Sequence, residues 1–537
     1  MKIKKKLAFL LFFSSTAIFS QTLQQAIKET DNELYSTAEK NIKLLIKSEP
    51  SNGLNYFYLG ENFKVQNELD SANYYWGKAA EKDPESPIAL VANGKCLLFK
   101  NDLLGANELF NKSLTKTKRK NTEIIRAIVT AYIEKETQNF DESFLLLNRA
   151  IELEPKNEMN YILLGDLSKV KTPDNVKDAL KNYNLGFDVN PLSARSLVRI
   201  GKLYQRLKTS LTDSLANDYY TRAKRIDPSY APAYRENAEL FLNANKPKKA
   251  IENWKIYLEL NNSVEARYRY TTALFSSKQY CEAIEELKSL QNKGFSNLYV
   301  ERMLIYAYAE CTSDKENASK GLLICDKFFN TTPKDKITYV DFKYKAQLLY
   351  NSGNDSLSLI EYEKVCLMDL RAKNELSGII AKIYSKNKNY IKAIENYEYK
   401  QSQTQLTAVE LFDLGRAYYF GPKSYTLADT TFSKLSLISP SYAAGYFWRA
   451  RTKLQLDVKN EKWLARPFYE KTFDLIKPEE ITAGNNKQMR LESALYLGDY
   501  YYSSSFKDLA KAKSIWTFVL ELDPSNAAAK TFFSKVK

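Results

Sequence analysis

The chain of 537 residues contains no histidine. Histidine is the usual general base near neutral pH and the commonest metal ligand, so both roles lose their ordinary side chain. The Ser-His-Asp and Cys-His arrangements of covalent catalysis are excluded outright. Cysteine is scarce, with five in all, and no two stand in a Cys-x-x-Cys pair. There is no glycine-rich phosphate loop: Gly94-Lys95 and Gly201-Lys202 lack the hydroxyl residue and the upstream glycine. Carboxylate pairs such as Glu479-Glu480 are ordinary on a charged helical surface, and they leave only a two-carboxylate glycosidase formally open. Beyond the first 20 residues no apolar run is long enough to cross a bilayer. The expectation is a protein that is not an enzyme and carries no metal or cofactor.

What the chain does contain is one pattern used many times. It reads Tyr56, Leu59-Gly60, Phe63, then Ala72, Trp76, Ala79, Pro84, and the preceding Pro50 lies 34 residues before Pro84. Residues three and four apart share one helix face, so the first four positions mark one helix and the next three a second. Small Gly60 and Ala72 suit a close helix crossing, and Trp76 is expected to fill the space between neighbouring pairs. Asp83-Pro84 ends the unit, because proline cannot continue a helix and restricts the residue before it.

The pattern returns as Tyr161, Leu164-Gly165, Ala179, Tyr183, Gly186, Pro191, and as Leu197, Ile200-Gly201, Tyr204, Ala216, Tyr220, Ala223, Pro228. It returns again as Leu411, Leu414-Gly415, Tyr418, Ala428, Phe432, Pro440, and last as Leu497-Gly498, Tyr501, Ala512, Trp516, Val519, Pro524. Weaker copies lie between, such as Gly94, Ala106, Phe110 and Gly321, Cys325, Phe328. This arrangement resembles the tetratricopeptide repeat family. The resemblance implies an all-α fold, a right-handed superhelical solenoid of about 14 helix-turn-helix units. The proline spacing stretches to 36 and 37 residues around Pro191, with the extra residues expected to loop out at 171–176 and 207–216.

The expected organisation is a signal peptide over 1–20, a degenerate first repeat over 21–50, the repeat array over 51–478, a loop over 479–489, and the last repeat with a capping helix over 490–537. A single compact core of this length would be oversized. Each unit of a solenoid packs only on its neighbours, so one elongated domain is expected.

The start of the chain suggests export. Lys2, Lys4, Lys5 and Lys6 precede a short apolar run over 7–13, and Ser20-Gln21 offers a small residue before a cut. The Lys/Asn/Tyr-rich composition resembles that of exported Bacteroidota proteins, which implies the periplasm, with peripheral association at the inner face of the outer membrane. Asp70-Ser71-Ala72, Asp213-Ser214-Leu215, Asp355-Ser356-Leu357 and Asp429-Thr430-Thr431 look like O-glycosylation sequons of that phylum. The alternative is that these residues cap the second helices.

The formal charge is +15, and removing four leader lysines lowers Lys+Arg from 79 to 75 against 64 acids, leaving +11. Such a surplus suits an acidic protein, an anionic lipid or a polyanionic glycan, or is simply spread over a solvated surface. Nucleic acid is not expected as a partner, and other envelope proteins are. In the family, first helices line a concave groove. Carried over, that implies a basic stripe of Arg195, Lys202 and Arg206, then Arg235, then Arg269. Val198 stands where the family's carboxylate-clamp lysine is expected, which counts against capture of a free C-terminus. A second implied surface is aromatic: Phe412, Tyr419 and Phe447. Finally, Cys281 opens a second helix and Cys311 closes the next first helix, on the same side of the stack, so a Cys281–Cys311 disulfide is a candidate.

Overall fold

The computed structural model describes residues 22–137, 139–174, 176–482 and 485–536. The expected leader lies outside the described residues. Among them there are 29 α-helices and no strand. They form fourteen antiparallel pairs and one closing helix, Ala527–Lys535. The repeat count read from the sequence therefore holds.

The chain divides into two compact units, Met1–Asn297 and Leu298–Lys537. The single elongated domain expected from the sequence is corrected here. The break falls after the helix Tyr280–Asn292, where no proline closes the repeat and Gly294 takes a left-handed φ of +78°. The first unit holds eight pairs and the second six pairs with the closing helix.

Local signals explain each pair. In the second pair, Asn52 caps the helix Gly53–Val65 by accepting from the Leu54 amide. In the third, Ser86 accepts from the Ala89 amide and Pro87 sits in the first turn of Pro87–Phe99, where its missing N–H costs nothing. Thr407 and Glu410 form a reciprocal capping box at Ala408–Phe420. The turn inside most pairs places Asn, Lys or Gly at positive φ, for example Asn67, Asn245, Lys278 and Gly353.

The glycine of the pattern answers to the aromatic residue of its own pair. A Cβ on Gly201 would lie 2.6 Å from Cε1 of Tyr220, and one on Gly498 would lie 2.6 Å from Cε2 of Trp516. Gly60 meets Trp76, Gly94 meets Phe110 and Gly165 meets Tyr183 in the same way. Trp76 thus does more than fill the gap to the next pair. Its ring lies over Gly60 within the pair and 5.6 Å from Phe99 of the next one.

The first repeat, expected over 21–50, holds both helices, Leu23–Asp31 and Tyr35–Ser48, the first of them short. Three further expectations change. The extra residues at 207–216 do not loop out. Thr209 caps a longer helix, Ser210–Ile226, and the insertion becomes an added turn. The stretch 479–489 is only partly a loop: a 3-10 turn spans Pro478–Glu480 and a helix already begins at Asn486. The four sequons do not cap their helices. Glu68, Thr209, Asn354 and Ser424 take the N-cap positions, which leaves Ser71, Ser214, Ser356 and Thr430 inside the helices. Asp70, Asp213 and Asp355 act instead as first-turn acids facing the helix dipole.

Gly165→Leu is expected to cost about 1–3 kcal/mol, since the added side chain must displace the Tyr183 ring. Trp76→Ala is expected to cost about 3–5 kcal/mol through a cavity beside Gly60. Hydrogen exchange should show both losses confined to the mutated repeat and its neighbours. Parent-like protection at both sites would refute the packing described.

Candidate functional site

The helix Ala194–Arg206 sets out its cations by spacing alone. Arg195, Arg199, Lys202 and Arg206 follow at intervals of four, three and four residues, so they form one row. Leu197 and Ile200 point the opposite way, into the core, and Val198 is buried at the margin of the row. The next first helix, Ala231–Asn243, adds Arg235 beside the buried Glu236, and Val264–Ser276 adds Arg269. The stripe read from the sequence is therefore assembled across three consecutive repeats.

Its charges are not free. Lys202 Nζ lies 2.8 Å from Glu236, and Arg235 Nη2 lies 3.0 Å from the same carboxylate. Arg199 pairs with Asp166 at 3.1 Å, and Asp166 also accepts from the Tyr183 hydroxyl at 2.6 Å. Arg269 pairs with Glu265 at 3.0 Å on its own exposed face. Arg206 donates to the Pro173 carbonyl at 3.1 Å.

The remaining partners come from far away in the chain. The end of the first helix and the turn that follows carry Asp31, Asn32 and Glu33, and they lie on this stripe. Arg195 forms an ion pair with Asp31. Arg235 grips Glu33 with two bonds, Nε at 3.2 Å and Nη2 at 2.8 Å, and the Tyr257 hydroxyl adds a third at 2.8 Å. At the edge, Asn32 donates to Ser229 at 3.1 Å and Lys28 lies 3.5 Å from Asp227. Burial alone would lower the pKa of Arg195 and Arg235, but Asp31 and Glu33 respectively outweigh it and raise both. Burial lowers the pKa of Lys169, and the neighbouring cations Arg199, Lys202 and Arg206 add to that effect.

Sequence reasoning missed three things here: Arg199, Asp166 and the acidic turn. Arg199 was legible from helical spacing. The turn had a fainter signal, because Glu33 (φ 61°) is acidic where most repeats carry Asn, Lys or Gly.

Other first helices carry similar pairs between charges of adjacent repeats. Lys95 is wholly buried; it lies 2.6 Å from Glu61, 3.2 Å from Glu134 and 4.6 Å from the Trp76 ring centroid. In the second unit, Asp341 receives both Nε and Nη2 of Arg302, at 2.9 and 3.0 Å. The aromatic set expected to line a groove is brought together but faces inward. Phe447 is buried, and Phe412 and Tyr419 stack edge-on against Trp448 at 6.5 and 5.3 Å. No group of three or more Cys, Asp or Glu among the described residues is placed to hold a metal ion. No described helix is long and apolar enough to cross a membrane.

A double-mutant cycle of Glu33→Gln and Arg235→Gln is expected to give a coupling of about 1–2 kcal/mol, as for a charged hydrogen bond that is partly exposed. The coupling should shrink as salt rises. Additive single effects would show that the two groups do not hold each other in solution.

No protein-family model matches the chain. Among curated proteins, the protein O-mannosyl-transferase TMTC3 of Homo sapiens is 26% identical over 208 residues, covering 37% of this chain and 22% of that protein. The chain thus spans about a fifth of that relative's length. Among solved structures, the C-terminal part of a TPR repeat-containing protein from Cytophaga hutchinsonii is 28% identical, covering 49% of this chain and 98% of its own, with a TM-score of 0.42. PilF of Pseudomonas aeruginosa is 17% identical, covering 39% and 93%, with a TM-score of 0.31. The chain's own geometry is what decides: fourteen helix pairs, with a glycine under an aromatic ring in the best-formed of them and a proline just beyond the second helix. That unit is the helix pair of the tetratricopeptide repeat, and the described residues form a tetratricopeptide-repeat solenoid fold.

Proposed function

We propose that this chain is a non-catalytic scaffold that holds other proteins, exported to the periplasm as a subunit of an assembly or secretion complex at the outer membrane. The observation that carries the scaffold reading is the repeat architecture itself. Each pair spends its apolar residues on its neighbours and leaves a polar inner row on its first helix, so the surface offered grows with every repeat. Export is supported by the lysines at positions 2, 4, 5 and 6 ahead of an apolar run. The lack of histidine supports the non-catalytic reading. The transferase named in the human relative is a protein of which the match covers 22%.

A second reading is a carrier or receptor that takes peptide or glycan in the groove. One observation favours it: Arg195 and Arg235 hold carboxylates there, Arg235 through its planar fork. Ligands held by such contacts weaken steeply with salt, whereas a scaffold docked through packed apolar surface does not. Ser71, Ser214, Ser356 and Thr430 stay within this proposal as O-glycosylation positions; the last three are exposed. So does the pairing of Cys281 with Cys311.

Two measurements test these readings. The tagged full chain, purified from gently solubilised envelopes of its host, is expected to bring down an outer-membrane protein in stoichiometric amount. Recovery alone would reject the scaffold. Alkylation under denaturing conditions is expected to label Cys96, Cys325 and Cys366 before reduction and all five cysteines after it. Five labels without reductant would end the disulfide.

A further inference from the structure

The contact between the first repeat and the stripe differs in kind from the rest of the first unit. Repeats elsewhere join through shared apolar clusters. The cluster running from Ala26 to Leu167 includes residues of the first four pairs and part of the fifth. The clusters around Tyr220 and Trp254 include no residue of the first pair. The turn at 31–33 therefore meets the stripe through carboxylates, an amide and a hydroxyl, with Asn32 on Ser229 and Glu33 on Arg235 and Tyr257. Polar contacts of this type resemble those of exchangeable partners more than those of a core.

The charge balance points the same way. With the turn in place, Arg195, Arg199, Lys202 and Arg235 face Asp31, Asp166, Glu236 and Glu33. Without it, Arg195 loses Asp31, and Arg235 loses Glu33 and keeps only its share of Glu236, which Lys202 also holds. Both arginines are already partly removed from water, with side chains 18% and 36% exposed. One largely buried guanidinium then loses its carboxylate and its neighbour on the next repeat is left sharing one with a lysine, which favours replacements at the same spacing. Tyr257 adds a hydroxyl that donates to the second carboxylate only, which sets the direction of the occupant.

We infer that the stripe is a receptor for an acidic segment with carboxylates two residues apart, and that the turn Asp31-Asn32-Glu33 is a built-in occupant that such a segment displaces. The occupant is peptide in nature, because the Asn32 amide between the two carboxylates is also read, by Ser229. This inference rests on the interaction-scaffold reading and sharpens it to one surface. A tethered occupant holds its site at high effective concentration, so a partner must offer more contacts than the turn does, or act where the turn has been weakened.

The test uses the full chain and a fluorescent peptide of its own residues 30–34, Thr-Asp-Asn-Glu-Leu. The variant carrying Asp31→Asn and Glu33→Gln is expected to bind this probe at least about tenfold more tightly than the parent, which a removed competitor requires. Adding Arg235→Gln should abolish the gain, and binding should fall as salt rises from low to physiological. A folded variant, with parent-like helical circular dichroism, that binds no probe would overturn the inference. Glu33→Gln alone serves as a milder variant with an intermediate gain. If both variants unfold, the turn is a structural closure and the inference is also overturned. Failure here leaves the scaffold reading standing, since partners can dock on other repeats. Envelope recovery without a partner would leave a positive probe result intact.

Discussion

Packing in the best-formed repeats depends on a ring lying where a side chain is missing. In the second, third, fifth, sixth, twelfth and fourteenth pairs, a glycine of the first helix leaves room for an aromatic ring of the second. The contact fixes how closely the two helices approach and how they are rotated about their axes. Rotation decides which residues of the first helix face inward. The same contact that builds the core therefore aligns the inner row of one repeat with that of the next, and the site on that row is a consequence of the packing.

Once rows are aligned, charges one period apart become neighbours. Lys95 meets Glu61 and Lys202 meets Glu236, each pair 34 residues apart, and Arg199 meets Asp166 at 33. In the second unit, Lys343 and Glu375 are 32 apart, and Arg451 and Glu492 are 41 apart. Exposed ion pairs of this sort contribute little stability singly. Their effect is on specificity: a row that is paired internally presents little net field to a ligand. Lys95 is the extreme case. Its burial is tolerable only because two carboxylates and an aromatic face meet the ammonium, and removing both carboxylates would strand a buried charge.

Much of this was legible in the sequence, and the reasons are local. Helix pairing, the number of repeats and the glycine positions follow from spacings of three, four and about 34 residues, which survive in a single chain. So did the members of the arginine stripe, because all but the last two lie on one helix. Boundaries were less legible. Thr209 stops the insertion near Ser210 from looping out by starting a helix early, and a cap is a one-residue signal easily lost among similar residues. The division after Asn297 was not read either, since it depends on what is absent from one weak repeat.

The acidic turn was beyond reach for a different reason. Glu33 and Arg235 are 202 residues apart, and no periodicity relates them. A solenoid makes neighbours of residues one period apart, and a reader of the sequence can follow that. It makes neighbours of distant repeats only through its curvature, and curvature is the sum of many small rotations between pairs. Each rotation is set by side-chain volumes at a crossing, so the contact of Asp31 and Glu33 with the stripe is a property of the first seven repeats together. This gives the contact its interest: it senses the shape of seven repeats through a few polar bonds, and a partner that binds the arginines acts on that shape as well as on the charge.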